Sequence, residues 1–249
     1  MSGNAAQILK NTWNVPYVHM FHTLSLMKKR IAQTDEEREG EYRTNGEYEV
    51  IKTADRIVAA TPAEKSQLEF LYRADSKKIT IIPPGVDTSH FYPIPQDEAR
   101  EVIGVPDNNC LILFVGRIEP LKGVDVLLRS IAYIRQKHKC LSCPISLVII
   151  GGDPGVDTEN PNQEMGRLKK LCQELGIGDV VLFLGKRSQD SLAYYYSAAQ
   201  VVVMPSHYES FGLVALEAMA CGTPVVASQV GGLAYLVDDG VTGFVVPNG

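Results

Sequence analysis

VVVM (201–204) and SHYESFGLVALEAMACGTPVV (206–226) read together as a buried strand, a short loop and a helix. The run Val201-Val202-Val203-Met204 has the apolar, β-branched character of a parallel strand covered on both faces. Gly212 opens a helix that runs to about Cys221, where Gly222 and Pro224 stop it. Glu209 therefore falls in a strand-to-helix loop at the carboxyl end of a strand, where open α/β sheets place ligands. The amides of Phe211, Gly212 and Leu213 point out of the helix N-terminus and suit an anion. A carboxylate repels a bare phosphate but accepts hydrogen bonds from sugar hydroxyls, and both Glu209 and Glu217 are available for that. A phosphate cradle flanked by two hydroxyl-binding acids describes a nucleotide-sugar site. The plainer alternative makes Glu217 a solvated helix residue and Glu209 a charge at the helix N-terminus.

The same grammar extends outward over 107–249. Strands read at 111–115, 146–150, 180–184, 200–204, 224–227 and 243–246, and helices at about 123–137, 162–175, 189–198, 213–221 and 231–238. Near-continuous Val/Ile/Leu strands alternating with helices imply a parallel, Rossmann-like sheet. Residues 1–82 repeat the pattern incompletely, with strands at 17–21, 57–61 and 79–82 and helices at about 4–13, 46–53 and 62–73. Three strands are fewer than a sheet of this class usually has. PPGVDTSHFYPIP (83–95), with its prolines, reads as an interdomain linker, so that 83–106 holds the linker and the start of the second domain. The acidic run DEEREGEYRTNGEYE (35–49) reads as a solvated loop and helix face.

The 249 residues carry a net charge of −5 and 45% hydrophobic side chains, an ordinary soluble balance that gives no reason to expect nucleic acid as a partner. No stretch approaches a membrane span, and MSGNAAQILKNTWN (1–14) lacks the apolar centre of a secretory signal. Five scattered cysteines indicate no disulfide framework. Cys110, Cys172 and Cys221 read as buried packing residues. Cys140 and Cys143 with His138 resemble half a zinc site, but no second ligand pair follows. The expectation is a loop with reduced thiols, no metal, and a cytoplasmic protein.

ESFGLVALEAMACGTPVVAS (209–228) closely resembles the donor-site signature of retaining, family 4 glycosyltransferases of the two-domain GT-B architecture. The resemblance covers nearly the whole chain, through HMFHTL (19–24), TADRIVAATPAEKSQL (53–68), ITIIPPGVDTSHF (79–91), FVGRIEPLKGVDVLL (114–128) and VIIGGDPG (148–155). Within the family the chain looks most like sucrose-phosphate synthases and the inositol-phosphate glycosyltransferases of mycothiol synthesis. The resemblance implies a nearly complete C-terminal Rossmann-like domain at 107–249, cut at its end, and the second half of an N-terminal one at 1–82. It also implies an internal fragment of a longer enzyme.

A transferase of this kind must stabilise a departing diphosphate, for which fixed cations and amides are the main requirement. Gly116-Arg117 ends one strand and Lys122-Gly123 opens the next helix. A guanidinium can grip phosphate bidentately and an ammonium acts as a point charge. The bland reading of Arg117 is a surface ion pair with Glu119.

The resemblance implies a uridine-diphosphate sugar donor held by Gly116, Arg117, Lys122, Glu209, Ser210, Phe211, Gly212 and Leu213, with Glu217 on the ribose. Lys186 and Arg187 fall where the family receives the base, and a solvated basic loop is an equal reading of them. His22 corresponds to the family histidine facing the reaction centre, and with Arg117, Lys122 and Glu209 it makes the implied catalytic set. Thr23 and Arg43 fall where relatives bind an acceptor's phosphate, so a phosphorylated sugar or cyclitol is the implied acceptor. His19, His90, His138 and His207 read as structural, and Tyr194-Tyr195-Tyr196 as helix packing.

The implied reaction retains configuration and needs no cofactor or divalent ion. A helix would separate Glu209 and Glu217 by roughly 10 Å, whereas a retaining hydrolase holds its two carboxylates about 5 Å apart. The alternatives are a non-catalytic nucleotide-sugar binder and another GT-B enzyme such as an epimerase. A dinucleotide-dependent oxidoreductase fails for want of a G-x-G-x-x-G after the first strand of either part.

Overall fold

Helix and strand alternate from the first turn onward: α1 (Ser2–Trp13), β1 (Val18–Met20), α2 (Ser25–Ile31), α3 (Glu41–Thr53), β2 (Arg56–Ala59), α4 (Pro62–Tyr72) and β3 (Ile79–Ile81). The computed structural model describes residues 2–31, 40–137, 143–152 and 164–247. The three strands form one parallel sheet in the order β1-β2-β3. Ile57, Leu68, Val50, Ile51 and Phe21 fill its core. α4 begins with a capping arrangement. The Thr61 hydroxyl accepts from Glu64 N–H, and the Glu64 carboxylate reaches back to the Ala60 N–H at 2.6 Å. Val18 on the edge strand and Ile8 and Trp13 on α1 remain exposed.

The remaining elements are α5 (Gln96–Ile103), β4 (Cys110–Val115), α6 (Val124–Lys137), β5 (Ile145–Ile150), α7 (Glu164–Glu174), β6 (Val181–Gly185), α8 (Gln189–Ala198), β7 (Val201–Met204), α9 (Leu213–Ala220), β8 (Val225–Ser228), α10 (Leu233–Leu236) and β9 (Gly243–Val246). Six parallel strands form a second sheet in the order β6-β5-β4-β7-β8-β9. This is a doubly wound, Rossmann-like order that reverses between β4 and β7. Two apolar clusters pack against this sheet, one around Leu111, Leu113 and Val202, the other around Phe114, Leu128 and Leu147. Its strands are therefore covered on both faces, as their unbroken apolar composition requires.

The chain divides into two units: Met1–Pro84 with Tyr208–Phe211, and Gly85–His207 with Gly212–Gly249. α5 stands within the proline-rich stretch read as linker and start of the second domain. Arg100 anchors it, buried and donating to the main-chain carbonyls of Ala198 and Asn109.

Two expectations need correction. Cys110 is not a free packing residue and Cys143 is not a reduced loop thiol: the two form a disulfide at the start of β4 and just before β5, with Cα atoms 6.0 Å apart. β4 and β5 are paired neighbours in register from Cys110 and Ile145 onward, which brings the two cysteines together. Cys172 and Cys221 are buried free thiols, as read, while His138 and Cys140 lie outside the described residues. The acidic run is not wholly a solvated face either. Residues 35–39 lie outside the described residues, but Thr44 and Glu47 on α3 are buried.

Candidate functional site

The loops that follow β4 and β7 leave the sheet at the same edge, because the two strands are parallel neighbours. That edge is the point where the strand order reverses, the usual ligand crevice of such sheets. After β4 the chain turns at Gly116, whose N–H donates to Ile150 O at 3.0 Å, and forms a 3-10 turn at Pro120–Lys122. Gly123 ends this turn at φ 62°, and a Cβ there would lie 2.1 Å from the main-chain oxygen of Pro205. His207 N–H donates to Leu121 O at 2.8 Å. Only glycine fits so close an approach of two backbones at positive φ. The loop after β4 and the start of the loop after β7 are thereby locked together.

Arg117 is exposed, and its Nη1 donates to Glu119 Oε1 at 2.7 Å. The surface ion pair considered for this residue is thus formed. Lys122 is half-buried at the end of the 3-10 turn, two residues before α6. Lys186 and Arg187 follow β6 and are exposed. Arg187 donates to the Lys186 carbonyl at 3.2 Å and to the Tyr195 hydroxyl at 3.4 Å.

Gly212 caps α9 at φ 104°, and Leu213 begins it. Glu209, Ser210 and Phe211 are half-buried and belong to the first unit's set of contacts. Glu217, one turn before the end of α9, accepts a 2.7 Å hydrogen bond at Oε2 from the Tyr196 hydroxyl. Burial raises its carboxyl above the usual range, while Tyr196 and the nearby His90 pull it back. Burial also pushes the Tyr196 hydroxyl far above the ordinary phenol range, and the Glu217 charge adds to this.

Reading the three tyrosines as packing missed this contact. The available signal was the spacing of Ala193, Tyr196 and Ser197, which puts Tyr196 on the inner face of α8. A buried tyrosine hydroxyl needs an acceptor.

His22, Thr23 and Arg43 do come together. They line a cavity of about 340 Å³ in the first unit, with His19, Gly3 and Glu47. His22 is exposed, two residues beyond β1. Arg43 Nη2 donates to Thr23 Oγ1 at 2.7 Å and to Thr23 O at 2.8 Å, and its Nε donates to Glu47 Oε1 at 2.9 Å. Glu47 in turn accepts from the Ser25 N–H at 3.0 Å, the Ser25 hydroxyl at 2.7 Å and the Tyr72 hydroxyl. It thereby caps the N-terminus of α2 and aims the Arg43 guanidinium. Burial, and then His22, lowers the pKa of His19, so its imidazole is neutral near pH 7. A guanidinium, a threonine hydroxyl and an imidazole at one cavity can receive an anionic, hydroxylated ligand. Among the described residues no group of three or more His, Cys, Asp or Glu side chains could hold a metal ion.

Residues 95–249 match the family model for glycosyl transferases group 1, and residues 1–90 that for glycosyltransferase family 4. The D-inositol 3-phosphate glycosyltransferase of Actinosynnema mirum is 43% identical over 99% of this chain and 58% of its own length. That of Acidothermus cellulolyticus is 42% identical over 99% of this chain and 54% of its own length. Among solved structures, a sucrose-phosphate synthase from Thermosynechococcus elongatus superposes with a TM-score of 0.85 at 35% identity, covering 99% of this chain and 58% of that one. HepE of Anabaena, solved in complex with UDP-glucose, shares the fold with a TM-score of 0.79 at 23% identity, over 99% of this chain and 62% of that one. The chain thus spans little more than half the length of these relatives. Among its described residues no helix is long and apolar enough to cross a membrane.

Proposed function

The chain belongs to the glycosyl transferases group 1 family, of Rossmann-like GT-B fold, and from that premise we propose that its parent protein transfers a hexose from a UDP-sugar to a hydroxyl of a phosphorylated sugar or cyclitol. The observation that carries this reading is the locked pair of loops at the β4/β7 reversal. It sets the Arg117 and Lys122 loop against the start of the loop that bears Glu209. The family relatives named as D-inositol 3-phosphate glycosyltransferases support the acceptor, and the UDP-glucose complex of HepE supports the donor.

In this reading Arg117, Lys122 and the α9 amides take up the charge that develops on the leaving diphosphate. Glu217 accepts from the ribose hydroxyls, and Glu209 orients the transferred sugar. Lys186 and Arg187 border the base. Arg43 and Thr23 hold the acceptor's phosphate, and His22 faces the reacting sugar. The acceptor oxygen bonds to the anomeric carbon on the face from which UDP departs, as the bond to the β-phosphate oxygen breaks. The hydroxyl proton passes to a phosphate oxygen of UDP. Configuration is retained, with no carboxylate nucleophile, no divalent ion and no cofactor.

The test is product analysis with the full-length protein, a set of UDP-sugars, and inositol phosphate or hexose phosphate acceptors, with and without chelator. The expected result is transfer unaffected by chelation, with the donor's anomeric configuration preserved in the product by NMR. Inversion, or loss of activity on chelation, overturns the corresponding part of the proposal. Donor binding with no transfer to any acceptor favours the second reading, a non-catalytic nucleotide-sugar binder.

A further inference from the structure

Tyr196 is fully buried on α8, with its ring edge-on to Phe91 at 6.0 Å and its carbonyl accepting from Thr223 Oγ1 at 2.6 Å. Its surroundings are apolar: Leu111, Val202, Ala215 and Ala218 share its cluster. A phenylalanine would fill the same space. The hydroxyl therefore serves something other than packing, and its partner is Glu217 Oε2 at 2.7 Å. A glutamate side chain has three torsions to fix, and a charge-assisted hydrogen bond from a rigid, buried phenol fixes them well. No other hydrogen bond to the Glu217 carboxylate occurs among the described residues. An ionised carboxylate offers about four lone-pair sites, so one occupied site leaves room for two adjacent hydroxyl donors.

We propose that Tyr196 is a positioning residue of the donor site, holding one oxygen of Glu217 so that the carboxylate keeps its remaining lone pairs aimed at the ribose hydroxyls. This rests on the reading of Glu217 as the ribose acceptor. Three titratable groups act on or around this carboxylate: Tyr196 from α8, His90 from the segment after β3, and Cys221 just past the end of α9. Burial raises the Glu217 carboxyl, and Tyr196 is the larger of the two influences that lower it. Loss of the phenol hydroxyl therefore favours the protonated acid, which is a poorer acceptor for ribose. The affinity for donor is then lost at a higher pH than in the unaltered chain.

The experiment is titration calorimetry of the 249-residue chain with UDP and with 2′,3′-dideoxy-UDP between pH 5 and 8. In Tyr196→Phe, UDP affinity should fall about tenfold near neutral pH. The pH at which affinity declines should rise, and the preference for UDP over the dideoxy compound should shrink. Glu217→Gln keeps an acceptor for Tyr196 but cannot titrate, so it should lose the part of the pH dependence by which UDP differs from dideoxy-UDP, whose diphosphate titrates alike. That variant tests the idea even if Tyr196→Phe does not fold. Absence of UDP binding, or a Glu217→Ala chain that still prefers UDP over dideoxy-UDP, overturns the ribose reading itself. Weakened binding in Glu217→Ala with no change of pH profile in Tyr196→Phe leaves that reading standing and overturns the role of Tyr196. An equal loss of affinity for both nucleotides at every pH in Tyr196→Phe, or a difference between the UDP and dideoxy-UDP pH profiles that persists unchanged in Glu217→Gln, also overturns it.

Discussion

Glu47, buried in the first unit, and Glu217, half-buried in the second, are carboxylates whose partners differ in number and kind. Glu47 is 7% exposed and receives four donors from three elements: Ser25 N–H, Ser25 hydroxyl, Tyr72 hydroxyl and Arg43 Nε. Its charge is fully compensated, and its work is to hold α2 and to aim Arg43 at Thr23. Glu217 has one described donor, the Tyr196 hydroxyl, and its carboxyl is raised by burial. A saturated buried acid is a structural element, because it has no lone pair left for a ligand. An acid with one strong donor is oriented and still able to accept. Donor count separates the glutamate that builds the first unit's cavity from the one read as touching the donor.

The sharpest way to break this comparison is Glu47→Ala. It removes the acceptor shared by a guanidinium, two hydroxyls and a helix N-terminal amide around a buried carboxylate. The expected destabilisation of the first unit is about 3–5 kcal/mol, the range for breaking a buried ion pair on one side. Denaturant unfolding followed by Trp13 fluorescence, the sole tryptophan and a probe within that unit, measures it. A change below about 1 kcal/mol would mean that the network is not a structural keystone. Glu217→Ala, by contrast, strands one hydroxyl, that of Tyr196, and should cost the second unit about 1–3 kcal/mol besides acting on nucleotide binding.

How much of this was legible before the structure follows from local chemistry. The six strands of the second sheet were readable because they are unbroken runs such as Leu111–Val115 and Val201–Met204, and only a doubly covered parallel sheet uses such runs. Gly116, Gly123 and Gly212 marked the strand ends and helix starts of the candidate site. α2 and α5 were missed, since SLMKKRI and QDEAREVI are short and rich in charge, and α5 stands next to prolines that suggested a linker. The Tyr196–Glu217 bond and the Cys110–Cys143 disulfide join residues 21 and 33 positions apart. Local periodicity carries no information about such pairs. Glu47 was hidden for a further reason: it lies in an acidic run, and the solvated reading of such a run holds for its neighbours Glu49 and Tyr48 but not for it.

Glu64 sharpens the comparison as an intermediate case. It is 4% exposed, accepts from the Ala60 N–H, and burial raises its carboxyl to about 7. With a folded pKa above the unfolded value of 4.5, the native state binds the proton more tightly than the unfolded chain. The resulting stabilisation is fully present below about pH 4.5 and is lost as pH rises through about 7. The first unit should therefore weaken between pH 5 and 8 by an amount on the order of 2 kcal/mol, after discounting the full shift for relaxation. Glu64→Gln, which keeps an acceptor for Ala60, should remove most of that slope. An unchanged slope in the variant would assign the pH dependence elsewhere.

The smallest expected effect on stability is at Arg117, and it tests the opposite end of the argument. Its guanidinium is 66% exposed, and its described ion pair with Glu119 is a surface contact between residues two apart. Such pairs contribute little, so Arg117→Ala should change unfolding by no more than about 0.5 kcal/mol. If the residue were only a surface ion pair, nucleotide binding would be equally unmoved. The alternative rests on its position. It follows β4 at the strand-order reversal, and the locked 3-10 turn just after it fixes the loop to the start of the segment after β7. An exposed guanidinium on a loop whose following turn is fixed can exchange a weak carboxylate partner for a diphosphate. UDP affinity in Arg117→Ala should then fall about tenfold while uridine affinity stays level, the difference being the loss of a charge-assisted phosphate contact. Equal affinities for UDP in the two chains would return Arg117 to the surface ion pair it forms with Glu119.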